Sequence, residues 1–179
     1  RNWTILFLML WACPLMNANT LSLITPEARA EIDSWIARYP SDQRQSATMP
    51  ALRIVQDMNA GYLTRELMDA VAEYLNIPSI SVYEVATFYS MYEHKAVGRH
   101  KISVCTNVSC MLCGSEEIVE YLEKRLGINL GETTIDGRFT LKPVECLGAC
   151  GGAPMFQIGR QYYENLTPEK VETILAEFR

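Results

Sequence analysis

Cys105-Thr106-Asn107-Val108-Ser109-Cys110 and, farther along, Cys146-Leu147-Gly148-Ala149-Cys150 are the stretches on which the reading of this chain turns. The first spaces its cysteines C-x4-C and the second C-x3-C. Each follows an apolar run of strand character, Lys101-Ile102-Ser103-Val104 before one and Phe139-Thr140-Leu141-Lys142-Pro143-Val144 before the other. Both then pass into small or glycine-rich backbone. Two neighbouring strand ends that each deliver two thiols can bring four sulfurs together. Thiolate sulfur is the donor set of iron–sulfur clusters, four per [2Fe-2S] unit. The pattern predicts an electron-transfer protein built around one such cluster.

Cys113 leaves the ligand set open. Cys105, Cys110 and Cys113 also spell C-x4-C-x2-C, the plant-type ferredoxin spacing, with Cys146 as a distant fourth. Three readings compete: Cys105, Cys110, Cys146 and Cys150 on iron; Cys105, Cys110, Cys113 and Cys146 on iron; or a Cys110–Cys113 dithiol with disulfide chemistry. Gly148, Gly151 and Gly152 around the second pair favour the first, because they let backbone approach a cluster and aim N–H groups at its sulfurs. Cys110 is expected in a loop just ahead of a helix starting at Ser115, whose positive end suits an anionic group. Structural zinc is a further use for four thiolates.

The composition fits a folded chain of one or two small domains: 179 residues, 49% hydrophobic and 21% charged. Six cysteines could form a disulfide framework, but their metal-type spacing points to reduced thiols in a cytosol-like compartment. The net charge is −5 with no basic patch, which excludes nucleic-acid binding on electrostatic grounds. No G-x-G-x-x-G follows a strand and no P-loop occurs, so the isolated chain is not expected to oxidise NADH. His94 and His100, the two histidines, are expected as surface residues of a connector and not as ligands.

Residues 1–24 read as a leader without structure. Ile5-Leu6-Phe7-Leu8-Met9-Leu10-Trp11-Ala12 is apolar but shorter than the roughly 20 residues of a membrane-spanning helix. Translation is expected to start at Met16, which leaves Cys13 outside the protein.

From Thr25 the signals are helical. Thr25-Pro26-Glu27 is an N-cap, a proline at the first helical position and a first-turn acid. Ile32, Trp35, Ile36 and Tyr39 follow at helical spacing, and Pro40 is the expected stop. Leu52, Val55 and Met58 mark a second helix closing at Asn59-Ala60-Gly61. Thr64 caps a third, with Leu67, Met68, Val71, Ala72 and Leu75 inward. Ser81 and Glu84 read as a capping box opening a fourth, with Val82, Val85, Ala86 and Tyr89 inward. The aromatics of this region are expected in the core. The four helices predict a bundle over 25–97.

After Gly98 the pattern becomes strand (101–104), helix (from Ser115 to a stop at Gly127), strand (139–144), a hairpin turning at Gly159-Arg160, and a last helix capped by Thr167. Pro143 argues that the second strand lies at an edge. This order fits a small thioredoxin-like α/β layer over 98–179. The expected fold class is therefore α+β, a helical bundle followed by a thioredoxin-like [2Fe-2S] domain.

Val82-Tyr83-Glu84-Val85-Ala86-Thr87-Phe88-Tyr89, the run from Cys105 to Leu112 and the run from Cys146 to Pro154 together resemble the E subunit of NADH:quinone oxidoreductase, respiratory complex I. The resemblance extends from about Leu23 to Arg179. It implies one [2Fe-2S] cluster held by Cys105, Cys110, Cys146 and Cys150, with Cys113 a bystander where the family commonly has arginine. It implies a larger flavoprotein partner that binds FMN and NADH, with which the cluster exchanges single electrons. It further implies a peripheral place on the complex without membrane insertion, on the cytoplasmic face of a bacterial inner membrane or the matrix side in mitochondria. Hydrogenase and formate dehydrogenase complexes use similar subunits. A thioredoxin-like thiol–disulfide protein and a zinc-stabilised adaptor are the readings of other classes.

Overall fold

The computed structural model describes residues 20–178. Met16, Cys13 and the apolar run before it lie outside them. The chain divides into two compact units, one made of residues up to Val55 with Thr64–Phe88, the other of Gln56–Leu63 with Tyr89–Arg179. This division differs from a single boundary at 97/98.

In the first unit, the last residues of the expected leader are structured. Leu21–Leu23 form a 3-10 turn and Ile24 is 1% exposed, because Arg29 holds the Ile24 carbonyl at 3.0 Å and also bonds that of Leu21. Helix α1 (Pro26–Ile36) starts as its cap predicts, with Thr25 Oγ1 accepting from the Ala28 N–H at 3.3 Å. It ends at Ile36, ahead of Pro40. Helix α2 (Thr48–Met58) buries Leu52 and Val55. Helix α3 (Arg65–Leu75) is capped by Thr64 and buries Leu67, Val71, Ala72 and Leu75. Asn76 ends it in the left-handed region at φ 56°.

Helix α4 (Ser79–Phe88) corrects two expectations. Ser81 is not its N-cap: the Ser81 N–H already donates to the Pro78 carbonyl at 3.0 Å, so the first turn forms around Pro78 and encloses Ser81. The aromatics at its end are not core either, for Phe88 is 79% exposed and Tyr89 36%.

The second unit is a four-stranded sheet in the order β2-β1-β3-β4, made of β1 (His100–Cys105), β2 (Phe139–Val144), β3 (Phe156–Ile158) and β4 (Gln161–Tyr163). Strand β1 is parallel to β2 and antiparallel to β3, and β3 and β4 form the expected hairpin. A parallel pair needs a crossover. It contains the short helix α5 (Val108–Leu112) and then α6 (Ser115–Leu126). Acids at Glu116 and Glu117 and bases at Lys124 and Arg125 suit the dipole of α6, and Gly127 at φ 69° ends it. Pro143 lies on the edge strand β2, where its missing N–H costs no ladder bond. Helix α7 (Pro168–Glu177) is capped by Thr167 as predicted.

Ile102, Val104, Leu141 and Phe156 of the sheet form one core with Ile118 and Leu122 of α6 and Val171, Ile174 and Leu175 of α7. Each such side chain contributes about 1.5–3 kcal/mol by its burial. Gln56–Leu63 belongs to this unit through hydrogen bonds at Glu93. Gln56 accepts from the Glu93 N–H at 2.8 Å and donates to the Met91 carbonyl at 3.3 Å, while the Leu63 N–H donates to the Glu93 carbonyl at 2.7 Å. The Glu93 carboxylate in turn holds Lys101 of β1 and Lys142 of β2.

Candidate metal centre

Cys105 is the last residue of β1 and stands in register with Val144, the last residue of β2. Its N–H donates to the Met155 carbonyl at 3.2 Å and its thiol to the Glu145 carbonyl at 3.3 Å. The next residue, Thr106, donates its N–H to the Val144 carbonyl at 2.9 Å. The first cysteine is thus clamped where β1 and β2 finish and where the chain enters β3.

Cys110 lies on α5 and not in a loop, which corrects the expectation. Asn107 supplies the extended N-cap residue, its carbonyl accepts from the Met111 N–H at 2.9 Å, and its side chain donates to Glu145 Oε2 at 3.4 Å. Asn107 ahead of Val108 was the available sequence signal for this helix. Cys110 is 1% exposed and Cys105 3%. With Met155 they form a small cluster against which Leu147, Ala149 and Ala153 pack.

Burial pushes the Cys110 thiol up to about 11, with further contributions from the hydrogen bond and charge of Cys105 and a smaller one from the charge of Cys150; the Met155 backbone opposes them. Cys105 and Cys110 share one buried cluster, against which Leu147 and Ala149 of the second cysteine loop pack.

Cys146 and Cys150 are both exposed and lie on the connection from β2 to β3. Gly148 turns this loop at φ 75°, and its N–H approaches Cys146 Sγ at 3.4 Å. Tyr162 of β4 anchors the loop by donating to the Leu147 carbonyl at 2.8 Å. Cys150–Gly152 is a 3-10 turn. The three glycines play different parts. Gly148 carries the left-handed conformation, and Gly152 is hemmed in by Glu164. Gly151 has an ordinary φ and open space where a Cβ would be, so the expected need for glycine does not hold there.

Cys113 is exposed at the C-cap of α5. His94 is exposed as expected. His100 is half-buried at the opposite end of β1 from Cys105, its ring 4.8 Å from that of Phe178 and 5.7 Å from that of Phe139. It belongs to the core margin because it starts a strand instead of lying in a connector.

Among the described residues, no three His, Cys, Asp or Glu side chains converge closely enough to hold a single metal ion. The donor chemistry fits a two-iron cluster, whose four thiolates serve two irons. One cysteine pair is buried in a shared cluster, and residues of the loop that carries the second pair pack against it. Sequence reasoning did not single out Met155, Glu145 or Tyr162, which position the sulfurs through backbone carbonyls and packing that leave no motif.

Residues 32–179 match the family model for thioredoxin-like [2Fe-2S] ferredoxins. The chain is 48% identical to the E 2 subunit of NADH-quinone oxidoreductase from Rhizobium meliloti over 151 residues, 84% of this chain and 88% of that protein. It is 48% identical to the E subunit of NADH-quinone oxidoreductase from Rickettsia felis over 143 residues, 80% of this chain and 86% of that one. Among solved structures, an NAD+-reducing [NiFe]-hydrogenase in the air-oxidized state is similar in fold, with a TM-score of 0.59 and 17% identity. That match covers 75% of this chain and 22% of the hydrogenase chain. The chain has a mixed helix-and-sheet fold and belongs to the thioredoxin-like [2Fe-2S] ferredoxin family, with E subunits of NADH-quinone oxidoreductase among its relatives.

Proposed function

We propose that this chain is the electron-transfer E subunit of an NADH-quinone oxidoreductase and that Cys105, Cys110, Cys146 and Cys150 hold its single [2Fe-2S] cluster. The observation that carries the reading is the buried Cys105–Cys110 pair at the shared end of two parallel strands, with the Cys146–Cys150 loop leaving the same end. A cluster of this kind, when bound, supplies one-electron redox chemistry.

The chain's own residues do the rest. Met155, Leu147, Ala149 and Ala153 keep water from the buried sulfurs. Gly148 brings an N–H to the Cys146 sulfur, and such donation favours the more anionic state. Binding metal requires the thiolate form, so Cys110, whose burial favours the neutral thiol, would release its proton on taking up the cluster.

The partner in this reading is an NADH-binding flavoprotein whose FMN exchanges single electrons with the cluster. The helical region is the proposed docking element, and exposed Ile80 and Phe88 on α4 supply apolar surface for it. No helix among the described residues is long and apolar enough to cross a membrane; the place proposed for the chain in the complex is peripheral. The hydrogenase likeness concerns fold alone, whereas the identity to E subunits of NADH-quinone oxidoreductase extends over most of the chain.

Anaerobic purification tests the reading. Iron and acid-labile sulfide in equal amounts, visible absorption and a one-electron EPR signal after reduction are expected. A colourless protein with stoichiometric zinc, or one with disulfide reductase activity, would overturn it.

A further inference from the structure

We propose that the Ser115 hydroxyl donates a hydrogen bond to the inorganic sulfur of the cluster and thereby raises its reduction potential, an inference that rests on the functional reading above. Ser115 is 1% exposed, yet its Oγ is fully buried without a hydrogen-bond partner, sulfur acceptors included. Among the described residues only Arg138 Nε shares that condition. A buried hydroxyl without an acceptor costs stability. Alanine would avoid that cost and is the better helix former. Ser115 does not compensate by capping, since Gly114 occupies the N-cap of α6 and no side chain caps that end. The protein's own atoms therefore leave this donor unused.

Its place in the fold indicates the missing acceptor. Helix α6 lies in the crossover between parallel β1 and β2, so it runs back along the sheet and begins at the end where both strands finish. Ser115, Ile118 and Leu122 recur at i, i+3 and i+7 and share one face. Ile118 and Leu122 belong to the core that contains Val104 and Leu141.

From Ile118 back to Ser115 is about 4.5 Å along the helix axis, and from Val104 on to Cys105 is about 3.3 Å along the strand. One turn back from Ile118 therefore carries Ser115 toward the end of the sheet at which β1 delivers Cys105 and from which the Cys146 loop emerges. The positive pole of α6 favours an anionic group at the same end. No cysteine sulfur takes the hydroxyl's hydrogen bond, and the cluster's sulfides are the acceptor this proposal assigns to it.

The effect on redox chemistry has a definite sign. Reduction adds one electron and makes the sulfides more basic, so an O–H donor stabilises the reduced state more than the oxidised one. Ser115 is in this sense a positioning residue for charge and not a ligand.

The experiment compares the full-length chain with Ser115→Ala, Ser115→Gly and Ser115→Thr, purified anaerobically, by iron content, EPR-monitored redox titration and thermal melting of the metal-free form. Ser115→Ala should retain iron and shift the midpoint to more negative potential. On the order of a tenfold change in the reduction equilibrium is expected, 59 mV for a one-electron couple. Ser115→Gly should shift it in the same direction, and Ser115→Thr, which keeps the hydroxyl, should stay near wild type. Metal-free Ser115→Ala should melt no lower than the metal-free wild type, because it loses an unsatisfied group.

If Ser115→Ala holds too little cluster to titrate, Ser115→Gly and Ser115→Thr decide by the same contrast. A loaded wild type with unchanged midpoints in the hydroxyl-free variants overturns this inference alone. A wild type without iron overturns the functional reading and the inference together.

Discussion

A Cβ built on Gly152 would stand 2.6 Å from Glu164 Cβ and 2.5 Å from Glu164 Cδ. Glycine at 152 is therefore a condition for the chain after β4 to lie alongside the turn that bears Cys150. The Asn165 N–H donates to the Gly152 carbonyl at 2.6 Å and holds the two segments together.

Gly152→Ala should cost about 1–3 kcal/mol through forced displacement of Glu164, and cluster content should fall with it. Gly151→Ala should be neutral for the stability of the metal-free chain, since no protein atom meets its Cβ and its φ is ordinary. Denaturant titration and iron analysis of the two variants check this. Combining Gly152→Ala with Glu164→Gly should recover most of the loss, and equal sensitivity at 151 and 152 would show that the close approach is not the cause.

Single replacement of Cys105, Cys110, Cys146 or Cys150 by Ser should strip most of the cluster, while Cys113→Ser should keep its visible spectrum. Cys113 is solvent-exposed at the end of α5, whereas Cys110 on the same helix is buried against Cys105. If Cys113→Ser bleaches the protein and Cys150→Ser does not, the plant-type ligand set is the correct one.

Glu93, with its side chain 13% exposed, neutralises Lys101 and Lys142 on adjacent strands, whose side chains are 26% and 23% exposed. Glu93→Gln should destabilise the second unit by about 2 kcal/mol, because two ammonium groups are left facing each other in partial burial. Lys101→Met should cost less, as Lys142 still compensates the carboxylate. Urea unfolding followed by circular dichroism measures both, and a loss below about 0.5 kcal/mol for Glu93→Gln would make the cluster of charges incidental.

Burial, and then the charges of Arg99 and Arg138, hold the His100 imidazole below its ordinary value of 6.5. The unfolded chain consequently takes up this proton first as pH falls. The contribution of His100 is fully present above 6.5 and is lost as pH drops from there through the lower folded value. Metal-free protein should lose stability over that window, and His100→Phe should flatten the loss. Identical pH profiles for the two proteins would assign the acid sensitivity to other groups.

Most of the second unit was legible because its signals are local. Thr167-Pro168 marks α7, Gly127 ends α6, Pro143 marks an edge strand, and Gly159-Arg160 marks a hairpin. The cysteine spacing likewise led to both loops. Two helix starts were misplaced or missed because one proline carbonyl and one asparagine decide them: Pro78 at α4 and Asn107 at α5. The place of Gln56–Leu63 was not legible, since it depends on hydrogen bonds to Glu93 that leave no periodicity. The different fates of Gly148, Gly151 and Gly152 were hidden for a related reason: a glycine does not announce whether torsion, a neighbour or neither requires it.

The pairing of Cys105 with Val144 has a consequence for biogenesis. A parallel pair closes a long stretch of chain, so the proposed four-sulfur set cannot exist until that distant segment has been made and aligned. A slip of one residue between β1 and β2 would turn the end of β2 to the other face and misdirect the loop that carries Cys146 and Cys150. If these four sulfurs hold the cluster as proposed, iron loading would be a late event that verifies strand alignment, and the visible absorption of the loaded protein would report on registry in any mutant of the sheet.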